Sequence, residues 1–180
     1  MRTAISNFEK ASRLAPDYPD AYSDLGRCYF LIGNDGEANR FYKKSLQIDP
    51  NHSRTYMLLG EMQYRQKKFE EALQSFTKAA RLTRHNTEAR KNIGAVLALL
   101  GRKDEAIQTY LHMLRRQPND ATLLTRLALL YFSQGDYSSG LTFARRAYDA
   151  TPGTARGSLE GFIERLTAAA SSQQAAGTGQ

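Results

Sequence analysis

Residues 19–52 decide the fold of this chain and read PDAYSDLGRCYFLIGNDGEANRFYKKSLQIDPNH. Residues in the first half recur at steps of three and four, which is the spacing of one face of an α-helix. They are Tyr22, Leu25, Gly26 and Tyr29. A glycine-rich turn at 33–36 separates this stripe from a second stripe with the same spacing. Pro50 ends the second stripe, because proline lacks a backbone N–H and forces the preceding residue out of helical geometry. The stretch therefore predicts two α-helices joined by a short turn.

The same unit recurs along the chain with a period of 34 residues. Residues of three types follow this period: Pro16, Pro50, Pro118 and Pro152; Gly33, Gly101 and Gly135; Ala4, Ala38, Ala72 and Ala106. Because independent residue types mark one period, the chain is predicted to be built from repeats. Complete repeats are expected at residues 19–52, 53–86, 87–120 and 121–154, and residues 1–18 are expected to form the second helix of a partial repeat.

The pattern resembles the tetratricopeptide-repeat (TPR) family, in which W-x2-L-G-x2-Y is followed by A-x3-F and then by P. In the second repeat the residues that carry the resemblance are Tyr56, Leu59, Gly60, Ala72, Phe76 and Ala79. The resemblance covers about residues 1–154. It implies an all-α fold, namely a right-handed α-solenoid of stacked helical hairpins with a concave inner face. Departures from the pattern at Gln63, Arg84 and Arg90 are expected to loosen packing between the second and third repeats.

Small residues at two positions of each repeat are expected to let the paired helices approach closely. The first helices carry Gly26, Gly60, Gly94 and Ala128, and the second helices carry Ala38, Ala72, Ala106 and Gly140. Glycine inside a helix costs about 1 kcal/mol relative to alanine. Glycines in three of the first helices therefore indicate that close packing offsets this cost.

The two ends of the chain depart from the complete repeat. Residues 1–18 lack a first helix, so we expect either a fragment of a longer repeat array or a partner that covers the open side. After Pro152 an apolar stripe predicts a C-terminal capping helix over residues 155–169. The stripe consists of Leu159, Phe162, Ile163 and Leu166. Residues 170–180 are small and uncharged, and this composition predicts a disordered tail.

The sequence does not predict an enzyme. It contains no phosphate-binding glycine loop, dinucleotide fingerprint, paired-histidine zinc helix or nucleophile elbow. His52, His85 and His112 are too scattered along the chain for a metal site. We therefore expect no catalytic residue, no metal and no cofactor.

Composition restricts the compartment and the partners. The lone Cys28 is expected to be a buried structural thiol; it excludes an internal disulfide framework and favours a reducing compartment, which predicts a cytoplasmic location. No run approaches the ~18 apolar residues of a membrane span. The formal net charge of +7 suits acidic partners, but 25 basic residues are mixed with 18 acidic ones. Solvated outer helix faces are the simpler interpretation, and neither nucleic acid nor a small-molecule substrate is expected to bind.

First-helix residues that the packing pattern does not use are expected to point into the concave groove and to bind a protein or peptide partner. The predicted partner-binding residues are Arg27, Phe30, Arg54, Met57, Glu61, Tyr64, Lys91, Asn92, Arg126 and Phe132. Stacking at the repeat period should place Arg54 between Asp20 and Glu88, and Arg27 opposite Glu61. Mixed apolar and charged side chains favour an amphipathic helix or an extended peptide with apolar anchors.

One TPR subfamily binds the acidic tail of heat-shock chaperones through a clamp of Lys, Asn, Asn, Lys and Arg. Asn92 and Arg126 match two of the five clamp positions, while Met57, Glu61 and Thr122 occupy the others. Because Glu61 would repel a carboxylate, a clamp of this kind is not predicted. The sequence instead predicts an adaptor or scaffold that can belong to a larger complex. The alternative is a regulatory or substrate-docking segment of a larger enzyme.

Overall fold

The computed structural model describes residues 2–178, and within this range the chain is all-α. Its helices are α1 (Arg2–Leu14), α2 (Pro19–Leu31), α3 (Asp35–Ile48), α4 (Ser53–Arg65), α5 (Phe69–Leu82), α6 (Thr87–Leu99), α7 (Lys103–Leu114), α8 (Ala121–Gln134), α9 (Tyr137–Ala150) and α10 (Gly157–Thr178). A short 3₁₀ turn at Gly153–Ala155 precedes α10. The helix pairs follow the predicted period, while the repeat boundaries at 19, 53, 87 and 121 stay a prediction.

The helices form two compact units, Met1–Leu100 and Gly101–Gln180, which we call unit 1 and unit 2. In unit 1, α2 pairs with α3 and α4 pairs with α5, while α1 packs on α2 and α6 packs on α5. In unit 2, α8 pairs with α9, and these helices are flanked by α7 and α10. Each unit therefore consists of consecutive helices that pack on their sequence neighbours, as in a solenoid.

In unit 1 the helices of the α2–α3 and α4–α5 hairpins meet at a glycine that faces an aromatic ring. A Cβ atom added at Gly26 would lie 2.5 Å from Cε1 of Tyr42, and one at Gly60 would lie 2.7 Å from Cε1 of Phe76. Real side chains do not tolerate such distances, so only glycine leaves room for the ring. The predicted small-residue contact is also present at Gly26, because the carbonyl oxygen of Ala38 lies 3.1 Å from the same added Cβ. The Tyr42 ring, however, lies closer to this Cβ than the carbonyl does.

The turns inside the hairpins require a left-handed backbone. Gly33, Gly101 and Gly135 have φ angles of +82°, +75° and +79°. Lys67 stands at the same repeat position, and its φ is +59°. A side chain in this region is strained by contact between its Cβ and the following carbonyl. The second repeat therefore keeps the turn geometry of the others without the residue that favours it.

Residues that depart from the repeat pattern make contacts that replace those of the usual residues. Tyr29 stacks on Phe41 with ring centroids 5.4 Å apart. One repeat later Gln63 and Ser75 occupy these two positions, and the Ser75 hydroxyl donates to Gln63 Oε1 at 2.6 Å. An aromatic pair has thus been exchanged for a hydrogen-bonded pair.

Arg90 also retains the contact of the aromatic residue that it replaces. Tyr56 donates its hydroxyl to the carbonyl of Pro50 at 3.2 Å. Arg90 donates Nη2 to the carbonyl of Arg84, at the equivalent repeat position, at 3.3 Å. The loosening expected from Gln63, Arg84 and Arg90 is therefore offset by these hydrogen bonds.

A buried polar cluster joins α2, α3 and α4. Ser45 and Thr55 are both buried, and their hydroxyl oxygens are 2.7 Å apart. Ser45 also donates to the carbonyl of Pro19 at 2.9 Å, and Thr55 lies 2.7 Å from Nδ1 of His52. His52, the N-cap residue of α4, is therefore a partly buried member of an interhelical network.

The last helix is longer than predicted. Helix α10 runs from Gly157 to Thr178, so the prediction of disorder from residue 170 is wrong up to residue 178, and Gly179 and Gln180 lie outside the described residues. Alanine is the strongest helix former, and alanines at 168–170 extend the helix beyond the apolar stripe. That stripe does cap unit 2 as expected, because Phe162 and Leu166 are buried with Ala128 and Ala144.

We expect Gly60→Ala to destabilise the protein although alanine is the better helix former. The gain in helix propensity is about 1 kcal/mol, but the added methyl would displace the Phe76 ring, and such overpacking costs about 1–3 kcal/mol. Gly161→Ala is the matched control, because no atom lies within 4 Å of its added Cβ. Urea unfolding should show a net loss for Gly60→Ala and a gain of about 0.5–1 kcal/mol for Gly161→Ala. Equal gains for both variants would contradict the packing argument.

We expect Lys67→Gly to stabilise the protein by about 0.5–1 kcal/mol, because glycine removes the left-handed strain and part of that gain is lost to chain entropy. The midpoint of thermal or urea unfolding measures this effect. Lys68→Gly serves as the control, because Lys68 has a negative φ of −85°. A destabilised Lys67→Gly protein would show that the turn carries no strain.

We expect Tyr42→Phe to leave the stability unchanged or to raise it by up to about 1 kcal/mol, since it removes a buried polar group without a partner. Tyr42 is fully buried, and its hydroxyl has no hydrogen-bond partner in the described part of the chain. Phe76 fills the equivalent place in the next repeat and shows that a ring without a hydroxyl fits. A loss of more than about 1 kcal/mol in urea unfolding would show that the hydroxyl has a stabilising partner.

Candidate partner-binding surface

The large apolar side chains that remain exposed lie mainly on the first helices of the hairpins. In α2, α4, α6 and α8 they are Leu31, Tyr64, Leu99, Leu129 and Phe132. The second helices α3, α5, α7 and α9 have no exposed large apolar side chain. Helix α1, predicted as the second helix of the partial repeat, has Leu14 exposed, and Tyr18 and Ile32 are exposed next to the ends of α2. The two sets of helices therefore present surfaces of different chemistry.

Within each unit, we call the following exposed residues of the first helices the first-helix surface. In unit 1 it is formed by Arg27, Leu31, Arg54, Glu61, Tyr64 and Leu99. In unit 2 it is formed by Arg126, Leu129 and Phe132. Lys91, Asn92 and Met57 of the predicted set are half-buried beside it.

Two acidic residues of α2 neutralise Arg54 on α4. Arg54 donates Nη1 to Asp20 Oδ1 at 3.0 Å and also binds the carboxylate of Asp24. Asp20 and Arg54 are 34 residues apart, so the predicted contact between equivalent positions is confirmed. Exposed ion pairs of this kind contribute only about 0–1 kcal/mol each. Their main effect here is to cancel charge on the surface.

Glu61 lies in an environment that disfavours its negative charge. Partial burial of the carboxyl raises the pKa of Glu61, the positive charge of Arg27 lowers it again, and the negative charge of Glu88 adds to the rise. The predicted pairing of Arg27 with Glu61 is thus present as a charge interaction. Another carboxylate placed next to Glu61 would meet repulsion from Glu61 and Glu88.

Phe30 is not available to a ligand, contrary to its assignment from the sequence. It is 6% exposed and packs with Ala38, Tyr42, Leu58 and Met62. The guanidinium of Arg65 covers its ring at 4.3 Å. The spacing that placed Phe30 on the groove face also places it where the next hairpin arrives, and the apolar contact with Leu58 and Met62 buries it. Met57 likewise packs between α5 and α6 in unit 1.

Tyr64 is the exposed aromatic side chain on the first helices of unit 1. It remains 40% exposed. Its ring meets the edge of Phe69 at a centroid distance of 5.8 Å. Phe69 opens the second helix of the same hairpin, so it supports the ring of Tyr64 without covering it. Such a supported aromatic side chain loses little conformational freedom when a partner binds.

Phe132 has the corresponding position in unit 2. It is 39% exposed and lies 5.5 Å from the ring of Tyr137 and 5.7 Å from that of Phe162 in α10. Arg126 is exposed, and its Nη1 is 3.5 Å from the hydroxyl of Tyr110. Both predicted residues of unit 2 are therefore open to a partner, and α10 shields one side of Phe132.

Three exposed apolar side chains of the first helices lie outside the ten predicted partner-binding residues. Leu31 and Leu99 occupy the same position in their repeats, and each is about half exposed, as is Leu129. The shared repeat position of Leu31 and Leu99 was a usable signal, but spacing alone does not distinguish an exposed leucine from one that packs against the next hairpin. Cys28 is buried as expected, and burial raises the pKa of its thiol, with a further rise from Asp24.

Metal-ligand clusters and membrane-spanning helices are both absent from the part of the chain that the structure describes. Among residues 2–178 no group of three or more His, Cys, Asp or Glu side chains could hold a metal ion. Over the same range none of the helices combines the length and the apolar character needed to span a bilayer.

Comparison with protein families identifies the repeats. The model of the cytochrome c-type biogenesis protein H TPR domain matches residues 42–149, more than half of the chain. A tetratricopeptide-repeat model matches residues 1–62. Together the two matches extend from the partial first repeat into the last complete one.

Similar curated proteins are much longer than this chain. Anaphase-promoting complex subunit 3 of Schizosaccharomyces pombe is 27% identical over 132 residues, which are 73% of this chain and 20% of that protein. The SGT1 homolog of Bos taurus is 32% identical over 81 residues, or 45% of this chain and 24% of that protein. The type IV pilus assembly protein PilF of Pseudomonas aeruginosa is 26% identical over 142 residues, or 78% of this chain and 55% of that protein. The chain thus spans 20–55% of the length of these relatives.

Solved structures share the fold. YrrB, described as a TPR protein with an unusual peptide-binding site, superposes with a TM-score of 0.75 at 22% identity over 91% of this chain and 83% of that one. MamA superposes with a TM-score of 0.73 at 21% identity over 81% of this chain and 85% of that one. At these identities the likeness concerns the fold, which is an α-solenoid of helical hairpins. On the family match and this fold, the chain belongs to the tetratricopeptide-repeat family.

Proposed function

We propose that this chain is a protein-interaction module, an adaptor or scaffold that binds a peptide or an amphipathic helix of a partner on its first-helix surface. The observation that carries the proposal is the placement of the exposed apolar residues. Leu31, Tyr64 and Leu99 in unit 1 and Leu129 and Phe132 in unit 2 all lie on first helices. Exposed apolar side chains gathered on one set of elements are typical of binding sites, whereas single scattered ones carry no such meaning.

The chemistry of this surface favours apolar anchors over charged ones. Binding energy is concentrated in a few aromatic and arginine contacts, and the exposed residues of these types on the first-helix surface include Tyr64, Phe132, Arg27 and Arg126. The acidic side chains of Asp20 and Asp24 are already paired with Arg54. This surface therefore suits a partner that has apolar residues on one face and only a few charges, because such a partner has few charged groups to desolvate on binding.

An acidic chaperone tail fits this surface poorly. Glu61 stands at a position where the chaperone-binding subfamily carries an asparagine, and its raised pKa reflects a site that already disfavours negative charge. A carboxylate of the partner placed there would face both Glu61 and Glu88. This supports a partner different from that of the chaperone-binding subfamily.

The relatives support an interaction role without naming the partner. YrrB has a peptide-binding site, and the yeast relative is a subunit of a complex. We infer from them that this chain also binds a protein or peptide and can form part of a larger assembly. A cytoplasmic location remains a proposal based on the single buried Cys28.

A second candidate function is a docking segment of a larger enzyme. It is favoured by the human protein O-mannosyl-transferase TMTC1, which is 28% identical over 132 residues, or 73% of this chain and 15% of that protein. The genomic reading frame tests it: a catalytic domain in the same frame supports this alternative, and repeats alone support the adaptor.

We expect Tyr64→Ala and Arg126→Ala each to weaken partner binding by about tenfold or more, as central aromatic and arginine contacts do. The partner is first identified by affinity capture and mass spectrometry, and its dissociation constant is then measured by calorimetry. Helicity should remain unchanged for both variants in circular dichroism, because both side chains are exposed.

Arg145→Ala is the matched control, because Arg145 is an exposed arginine on a second helix. Its affinity should stay within about twofold of the parent protein. Unchanged affinity for both Tyr64→Ala and Arg126→Ala would refute the first-helix surface as the binding site.

A further inference from the structure

A separate pocket lies on α3 in unit 1 and shares no residue with the first-helix surface. It has a volume of about 420 Å³. Its lining residues are Tyr22, Arg40, Phe41, Lys43, Lys44 and Gln47. We call it the α3 pocket. Five of its six residues come from one second helix, and Tyr22 of α2 completes it.

The aromatic walls of the α3 pocket are held in place by other contacts. Phe41 stacks on Tyr29 with an angle of 14° between the rings. The hydroxyl of Tyr22 donates to the carbonyl of Ser12 at 3.4 Å, which ties this ring to α1. A ligand would therefore find both walls already formed and would not have to order them.

The cations of the pocket are only partly neutralised. Arg40 binds Glu37 at 2.7 Å and lies over the Phe41 ring at 4.7 Å. Lys43 and Lys44 are exposed and form no ion pair within residues 2–178. None of the lining residues is a carboxylate. Two ammonium groups thus stand beside an aromatic wall without a negative partner.

We propose that the α3 pocket binds an acidic peptide segment of a partner protein that carries an aromatic side chain. The aromatic ring would pack between Phe41 and Tyr22, and flanking carboxylates would bind the ammonium groups of Lys43 and Lys44. Charge-assisted hydrogen bonds of this kind are stronger than neutral ones. The apolar walls supply the contact area for the ring.

The charge pattern of unit 1 favours a short peptide over a membrane or a nucleic acid. The second helices begin with acidic residues, Asp35 and Glu37 in α3 and Glu70 and Glu71 in α5. The basic residues follow in the later turns of the same helices. A membrane or a nucleic acid is negative over a long distance and would meet both ends, whereas a short peptide can bind at the basic end alone.

The second repeat lacks most of this pocket. The fourth repeat keeps Phe143, Arg145 and Arg146 at the positions of Phe41, Lys43 and Lys44, but has Leu124 at the position of Tyr22. At the equivalent positions of the second repeat, Gln74, Ser75 and Thr77 replace Arg40, Phe41 and Lys43, while Lys78 retains the lysine of Lys44. Lys78 is exposed, as Lys44 is. The chain therefore contains its own control: Lys78 lies 6.0 Å from the ring of Tyr56, the equivalent of Tyr22, but lacks the phenylalanine and the second lysine of the α3 pocket.

The experiment measures binding of a fluorescent synthetic peptide, a central phenylalanine flanked by aspartates, to the full chain by fluorescence anisotropy. We expect Lys44→Glu to weaken binding by about tenfold or more, as loss and reversal of a charge-assisted contact does. Lys78→Glu changes the net charge equally and should weaken binding by less than about threefold, since only long-range charge is altered. Replacing the central phenylalanine of the peptide by serine should weaken binding by about tenfold.

Several results would overturn the proposal. Equal losses for Lys44→Glu and Lys78→Glu would show a response to net charge alone. Undiminished binding of the serine peptide would remove the aromatic subsite. Tighter binding to phosphatidylserine vesicles or single-stranded DNA than to the peptide would point to another class of partner. If Lys44→Glu unfolds in circular dichroism, Lys44→Gln replaces it, with the same expected direction.

The α3 pocket and the first-helix surface can be tested independently. Tyr64→Ala should leave the binding of the acidic peptide unchanged. Loss of acidic-peptide binding in Tyr64→Ala would contradict a separate site on α3. It would not affect the test of the first-helix surface, which uses a different partner and a different measurement.

Discussion

The close approach of two helices at a glycine is the contact on which each hairpin of unit 1 depends. Gly26 faces the ring of Tyr42, and Gly60 faces the ring of Phe76, at distances that no Cβ could share. Glycine lowers the helix propensity of the first helix, but it allows the second helix to bury a large ring against the backbone of the first. Because one hairpin cannot bury its apolar stripe alone, this contact also sets where the next hairpin packs.

The repeat period predicts the helices well because the signals that produce it are local. Turn glycines, helix-ending prolines and apolar spacing act within a few residues, so the helix pairs follow the predicted period. Lys67 shows how strong the combined signal is, because the left-handed turn forms there without glycine. The end of α10 was missed for the opposite reason. Composition suggested disorder, but an alanine-rich segment that continues an anchored helix needs no new nucleation.

The binding surface was harder to predict because exposure depends on neighbours that are distant in sequence. Phe30 and Tyr64 stand at equivalent repeat positions, yet Phe30 is buried and Tyr64 is exposed. Leu58, Met62 and the side chain of Arg65 cover Phe30, whereas Phe69 supports Tyr64 from one side. Helical periodicity specifies the direction of a side chain. It does not specify the size of the residue that the next hairpin brings against it.

Exchanges inside the hairpins also explain how one repeat acquires a surface that another lacks. Phe41 stacks on Tyr29 and also forms a wall of the α3 pocket. In the second repeat, Ser75 and Gln63 replace this stack by a hydrogen bond, and the same exchange removes the aromatic wall. Internal packing and surface chemistry are therefore coupled through a single position. A repeat whose packing tolerates either an aromatic pair or a polar pair can change its outer surface while its helices keep their arrangement.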